Sequence, residues 1–163
     1  VTEVSDLYRA QGAIRGVRLQ VELDPGIDSL VADPGRQRQL LNNLLTNAVE
    51  ALEGQADGSI AVSTRRVARG DSDVARITVE DNGPGFQREL IGQVFDPYVT
   101  TKTKGTGLGL AIVRKIVEEH GGHIEADNRA AGGAQIRIDL PLREAASDNA
   151  LRRGRLEPRR ERA

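Results

Sequence analysis

The chain has 163 residues, with 23 Lys and Arg against 24 Asp and Glu, no Cys, Met or Trp, and only two Phe and two Tyr. That length accommodates one domain with or without a tail, the lack of Cys excludes a disulfide scaffold and a Cys-ligated metal centre, and no apolar run approaches the roughly 20 residues of a membrane-spanning helix. Residues 143–163 hold seven Arg against four acidic side chains, so residues 1–142 carry 16 basic and 20 acidic groups, a mildly acidic body ill suited to nucleic-acid backbones.

The start, Val1-Thr2-Glu3-Val4, has neither an initiator Met nor a targeting pattern and predicts a piece of a longer protein. Leu7, Ala10, Gln11 and Ile14 fall at helical spacing, which predicts a short amphipathic helix over residues 3–14. Val17 to Leu23 alternates apolar and polar residues, the pattern of a half-buried strand. Asp24-Pro25-Gly26 is a turn, Leu30-Val31-Ala32 has the composition of a short strand, and Asp33-Pro34 opens a helix with Asp33 as its cap. That helix is predicted to run from Pro34 to about Glu53, to present Leu40, Leu41, Leu44, Leu45, Ala48, Val49 and Leu52 as one apolar stripe, and to stop at Gly54.

Residues 60–67 and 75–80 read as the strands of a hairpin, joined by the polar stretch 68–73. Residues 81–107 are rich in Gly, Pro and Thr, and a loop of that length inside a domain is either functional or disordered. Helical spacing resumes over residues 108–120 and stops at Gly121-Gly122, after which residues 123–128 and 134–140 form two more alternating strands. Intermixed strands and helices predict an α+β or α/β class with a mixed sheet. Arg and Glu dominate residues 143–163, where a disordered tail is expected.

Glycine is the compositional anomaly, since ten of the 18 lie between Gly83 and Gly133. Chemistry is therefore expected where backbone can approach a ligand closely. Asn43, Asn47 and Glu50 share one face of the long helix by their spacing. They form either a solvated polar stripe or a site in which an Asn oxygen serves as a hard, neutral ligand for Mg²⁺ beside phosphates. Asp81-Asn82-Gly83-Pro84-Gly85-Phe86 follows a strand and is a good turn. It also places a carboxylate, an acceptor for an amino group such as adenine N6, beside glycines that let a flat ligand approach.

Lys102-Thr103-Lys104-Gly105-Thr106-Gly107-Leu108-Gly109-Leu110 opens a helix, and alternating glycines there expose N–H groups to an anion. It lacks the preceding strand of the dinucleotide fingerprint and the Gly-Lys-Ser/Thr of the P-loop. Between these clusters, Val94-Phe95-Asp96-Pro97-Tyr98-Val99-Thr100-Thr101 reads either as a hydrophobic loop anchor or as a lid that Phe95 and Tyr98 dock over a nucleotide.

In this order and spacing the clusters resemble the catalytic and ATP-binding domain of bacterial sensor histidine kinases, in the Bergerat-fold group that includes the gyrase, Hsp90 and MutL ATP domains. Asn43 to Ala48 resembles the N box, Asp81 to Gly85 the G1 box, Phe95 to Tyr98 the F box and Gly105 to Leu110 the G2 box. The wording of the last two is most similar to the nitrogen-regulation kinases of NtrB and NtrY type. The resemblance covers residues 3–142, assigns residues 1–142 to the catalytic domain and 143–163 to the tail, and implies an α+β two-layer sandwich of about five strands on three helices.

The same resemblance implies ATP and Mg²⁺ as cofactors. Asp81 would accept the adenine amine, Gly83 and Gly85 would line the base pocket, and Asn47 would ligate Mg²⁺ with Asn43 assisting. Gly105, Thr106, Gly107, Leu108, Gly109 and Leu110 would surround the phosphates, with Lys102 and Lys104 adding charge and Phe95, Tyr98 and Thr101 completing the lid side. Asn43, Asn47 and Lys102 are the residues implied in catalysis.

The implied reaction transfers the γ-phosphate to a His on a separate dimerisation domain, serves a downstream response regulator, and takes place in the cytoplasm, with this chain itself monomeric. Neither His120 nor His123, at a helix stop, fits the phosphoacceptor. Two departures stand out: Glu50 occupies a position where many members carry Lys or Arg, and Gly133-Ala134-Gln135-Ile136 replaces Gly-Thr-x-Phe. A gyrase- or Hsp90-like ATPase and a nucleotide sensor without catalysis are the alternatives. The first needs a basic Glu at the position of Asn43, and an amide has no useful basicity.

Overall fold

The computed structural model describes residues 16–27, 30, 33–70, 72–101 and 105–142. The helix predicted over residues 3–14 and the tail over 143–163 lie outside them. So do Val31 and Ala32 of the predicted short strand, whose Leu30 is buried in a bend.

Strand β1 (Arg18–Glu22) pairs in parallel with β2 (Ser59–Arg69), Arg18 opposite Ser59. Helix α1 (Pro34–Ala51) connects them. Asp33 caps it as predicted: its Oδ1 accepts from the amide of Gly35 at 2.7 Å and of Arg36 at 3.3 Å, with Pro34 in the first turn. Leu40, Leu41, Leu44, Leu45 and Ala48 are all buried, so the predicted stripe is the packed face.

Antiparallel β3 (Ser72–Asp81) follows β2, and pairing continues out to Arg69 opposite Ser72. The connection is thus only two residues long, shorter than the polar stretch suggested. Backbone ladder bonds carried the strands past their last apolar side chain, because those bonds do not depend on side-chain polarity.

The long glycine- and proline-rich segment is likewise not all loop, since Arg88–Gln93 forms a 3-10 helix. A helix this short offers too little periodicity to read from sequence. Helix α2 (Gly109–Glu119), β4 (His123–Asn128) and β5 (Ala134–Pro141) complete the described elements.

The sheet order is β1-β2-β3-β5-β4, mixed because only the β1–β2 pair is parallel. Helices α1 and α2 pack on each other and on one face of the sheet. Ile60, Val62, Ala75, Ile77, Val79, Ile136, Ile138 and Leu140 meet Val113, Ile116, Val117 and the α1 leucines in one core. Among the described residues no helix is long and apolar enough to cross a membrane.

The other face of the sheet is polar, and one ion cluster binds its strands together. Buried Asp139 of β5 accepts from Arg76 Nε at 2.7 Å through Oδ1 and from Arg76 Nη2 at 2.9 Å through Oδ2, with Arg69 Nη1 at 3.1 Å from Oδ2. The fork from Arg76 holds the Asp139 carboxyl below its ordinary range. With the folded-state value below the unfolded one, this stabilisation is complete above about pH 4 and is lost as pH falls through the lowered value. Arg76→Ala is expected to destabilise the fold by about 1–2 kcal/mol in urea melts at pH 7. The gap between parent and variant should close as the pH is taken well below about 4.

Candidate functional site

A cleft of about 770 Å³ opens between α1, the carboxyl end of β3 and the segments on either side of residues 102–104. That size suits a nucleotide-sized ligand. Asn43, Thr46, Asn47, Glu50 and Ala51 supply its α1 wall. The three residues predicted to share a helix face therefore do line one cavity. They reach it because the leucine stripe on the opposite side of α1 is sunk into the core and fixes the helix's rotation.

The ends of this wall differ. A Cβ on Gly109 would stand 3.7 Å from Asn43 Oδ1, so Asn43 faces the start of α2. Ala51 presents its carbonyl oxygen to the turn at Gly83, so Glu50 and Ala51 stand towards Asp81. Asn47 lies between.

Asp81 ends β3 and is only 5% exposed, yet it forms part of the cleft wall. Its Oδ1 accepts from the Gly83 amide at 2.9 Å and from the Ala134 amide at 3.2 Å. Among the described residues these hydrogen bonds reach Oδ1 alone, so Oδ2 remains the acceptor available to a ligand. Gly83 does not line the cleft; it orients the carboxylate. Gly85 does line it, with Pro84, Phe86 and Gln87. Asn82 points away and pins the preceding loop, accepting from the Ser59 amide at 2.7 Å and donating to the Asp57 carbonyl at 2.9 Å.

On the lid side, Val94, Val99, Thr100 and Thr101 line the cleft, but Phe95 and Tyr98 do not. Phe95 packs against the core, the anchoring alternative, and Tyr98 is 78% exposed. What Tyr98 contributes is backbone: its amide donates to the Gly107 carbonyl at 2.9 Å, which joins the segment after the 3-10 helix to the one leading into α2. Gly107 sits at φ +67 against that backbone, and a Cβ there would fall 2.6 Å from the Tyr98 carbonyl carbon.

Gly105, Thr106, Gly107, Leu108, Gly109 and Leu110 all line the cleft as they lead into α2. Among the described residues no side chain caps the α2 start, so its first N–H groups and positive dipole end suit an anion. Lys102 and Lys104 lie outside the described residues.

Residues 32–144 match the model of the family described as histidine kinase-, DNA gyrase B- and HSP90-like ATPase. The chain belongs to that family.

Among its relatives, this chain is 37% identical over 156 residues to the sensor protein FixL of Bradyrhizobium diazoefficiens, covering 91% of this chain and 30% of that protein. A putative NtrY-like sensor histidine kinase of Rickettsia bellii is 46% identical over 112 residues, 69% of this chain and 18% of that protein. The chain thus spans less than a third of either. The solved catalytic domain of histidine kinase ThkA superposes with a TM-score of 0.72 at 35% identity, covering 86% of this chain and 88% of that one. The chain has the fold of histidine kinase catalytic domains.

Sequence reasoning missed the brace behind Asp81. The Arg129 side chain donates to the Asp81 carbonyl at 2.9 Å, and Asn128 both accepts from the Phe86 amide at 2.7 Å and donates to its carbonyl at 2.8 Å. The only signal was the turn composition of Asn128 to Gly133. Gly133 itself, at φ +97, leaves no room: a Cβ there would fall 1.9 Å from the Asp81 carbonyl oxygen. Gly133→Ala is therefore expected to cost about 2–4 kcal/mol in urea melts and to displace Asp81 from the cleft.

Proposed function

We propose that this chain is the ATP-binding catalytic domain of a two-component sensor histidine kinase, which presents the γ-phosphate of ATP to a His on a separate dimerisation domain. The observation that carries the reading is the cleft. It has a strand-end carboxylate with Oδ1 tied to the fold at one end, an uncapped helix start at the other, and two helix-borne amides between.

A carboxylate is acceptor-only when ionised, so Asp81 selects a base that offers an amino group, as adenine does. The uncapped α2 start and the glycines before it supply N–H groups to the phosphates. Lys102 and Lys104 flank that segment in sequence and are the cations assigned to the phosphates in place of the one that Glu50 replaces. Phosphoryl transfer asks the protein mainly for positioning and charge stabilisation, and these residues do both.

The donor set fits Mg²⁺. Asn47 offers a hard neutral oxygen on the cleft wall, and no group of three or more His, Cys, Asp or Glu that would make an all-protein cage exists among the described residues. A metal held here shares its coordination with phosphate and water, as Mg²⁺ does. Asn47 would hold it, with Asn43 nearby, and the bound ion would neutralise charge building on the transferred phosphoryl group.

Asn43, an amide, stands where the gyrase and Hsp90 branch uses Glu to activate water, which favours transfer to an external His over hydrolysis. The acceptor His comes from the dimerisation domain of a longer protein, and a response regulator receives the phosphoryl group from it. The reading places the reaction in the cytoplasm, with residues 1–142 as the catalytic domain and residues 143–163 as a tail.

Asp81→Asn gives the sharpest test. With Oδ1 bound to two N–H groups, the substituted amide must keep its oxygen there and turn its NH₂ toward the ligand. ADP affinity is expected to fall about 10- to 100-fold by calorimetry, with a smaller loss for inosine diphosphate, whose base bears a carbonyl in place of the amine. Unchanged ADP binding would sink the assignment of Asp81.

A second test mixes the chain with the dimerisation helices of its parent protein and γ-labelled ATP. Acid-labile, base-stable label on the helices is the expected result, and Asn47→Ala should reduce it at least tenfold while weakening the Mg²⁺ dependence of nucleotide binding. Alanine at both Lys102 and Lys104 should weaken ADP binding, and unaltered affinity and transfer would remove the lysines from the site.

A further inference from the structure

Asn128 and Arg129 stand outside the cleft, at the junction of β4 with the turn to β5, yet their hydrogen bonds end on residues that line it. Arg129 donates from Nη1 to the Asp81 carbonyl at 2.9 Å, and its Nε stands 3.7 Å from Glu80 Oε1. Glu80 also accepts from the Gln135 side chain, which holds the partner of Arg129 in place. Asn128 grips Phe86 at both backbone groups, accepting from its N–H at 2.7 Å and donating to its C=O at 2.8 Å. The Ala134 amide, at the far end of the same turn, completes the set by donating to Asp81 Oδ1 at 3.2 Å.

The two ends of the Asp81–Phe86 loop are therefore fastened to one short turn. That turn is itself closed by Arg129 N–H to Gly133 C=O at 2.9 Å and Gly132 N–H to Arg129 C=O at 3.0 Å. A shift of the turn moves the carboxylate and Phe86 together. We propose that the β4–β5 turn sets the purine preference of the cleft, with Asn128 and Arg129 as its positioning residues.

The inference rests on the reading of Asp81 as the purine acceptor. Discrimination between an amino and a carbonyl group depends on a carboxylate oxygen held at a defined angle. A carboxylate free to swing can also accept from the ring N1–H of hypoxanthine, or reach its carbonyl through water. Loss of the brace should therefore lower selectivity, beyond any loss of stability.

The test is calorimetric titration of the 163-residue chain with ADP and with inosine diphosphate, at a temperature where circular dichroism shows each variant folded. Asn128→Ala and Arg129→Ala are expected to lower the ratio of ADP to inosine diphosphate affinity about tenfold. Asn128→Asp keeps the acceptor for the Phe86 amide, and Arg129→Lys keeps the charge. Both should lower the ratio by less, and they carry the test should the alanine variants fail to fold.

Arg137→Ala, which removes an exposed ion pair with Glu125 on the same strands, should leave the ratio unchanged. A drop in melting temperature with the ratio intact, or equal losses for both nucleotides, would make the turn purely structural and overturn the proposal. If Asp81→Asn erases the preference while the turn variants retain it, the inference alone fails. If the parent binds neither nucleotide, the reading of the cleft fails and takes the inference with it.

Discussion

Asp81 is the last residue of the middle strand of the sheet, and its Oδ1 is bound by two backbone N–H groups, one from its own turn and one from β5. A buried carboxylate is costly unless hydrogen-bonded, and these two bonds supply that compensation from the fold itself. With both of these bonds on one oxygen, the carboxylate is held in a fixed orientation in the cleft wall. Most of what surrounds the cleft follows from keeping that arrangement: Gly83 as a donor, Gly133 pressed against the Asp81 carbonyl, and the Arg129 guanidinium taking up that carbonyl where the strand ladder ends.

Helix α1 spans the distance between the two ends of the cleft. Its leucines lock into the core and so leave it no freedom to rotate, which turns a sequence spacing into a spatial ruler: Asn43 by α2, Asn47 in the middle, Glu50 towards Asp81. Asn43 and Glu50, seven residues apart, are separated by about two helical turns along the cleft wall. Among the described residues, helices α1 and α2 cover one face of the sheet. On the other face Asp139, Arg76 and Arg69 join three strands.

Much of this was legible in the amino-acid order. Helix α1 and its Asp33 cap, the two strands that follow it, helix α2 and the last two strands all form in the segments where periodicity and turn residues put them, because each is a local pattern, although α1 ends at Ala51 rather than running on to Glu53. The strand ends around the hairpin and the 3-10 helix were misread, since ladder bonding and a six-residue helix leave little trace in side-chain periodicity. Of the site, Asn43, Asn47, Asp81, Gly85, Thr101 and the residues from Gly105 to Leu110 come together at one cleft. Gly83, Phe95 and Tyr98 support its walls instead.

Local order thus settled which elements form and which residue types could meet a phosphate, a metal or a base, because spacing along a helix and glycine content in a loop are properties of short segments. Tertiary structure alone decided which oxygen of Asp81 is committed and which is not, and that Asn128 and Arg129, more than 40 residues along the chain, brace it. Hydrogen bonds between distant backbone and side-chain groups depend on strand register and turn geometry, which no single segment encodes.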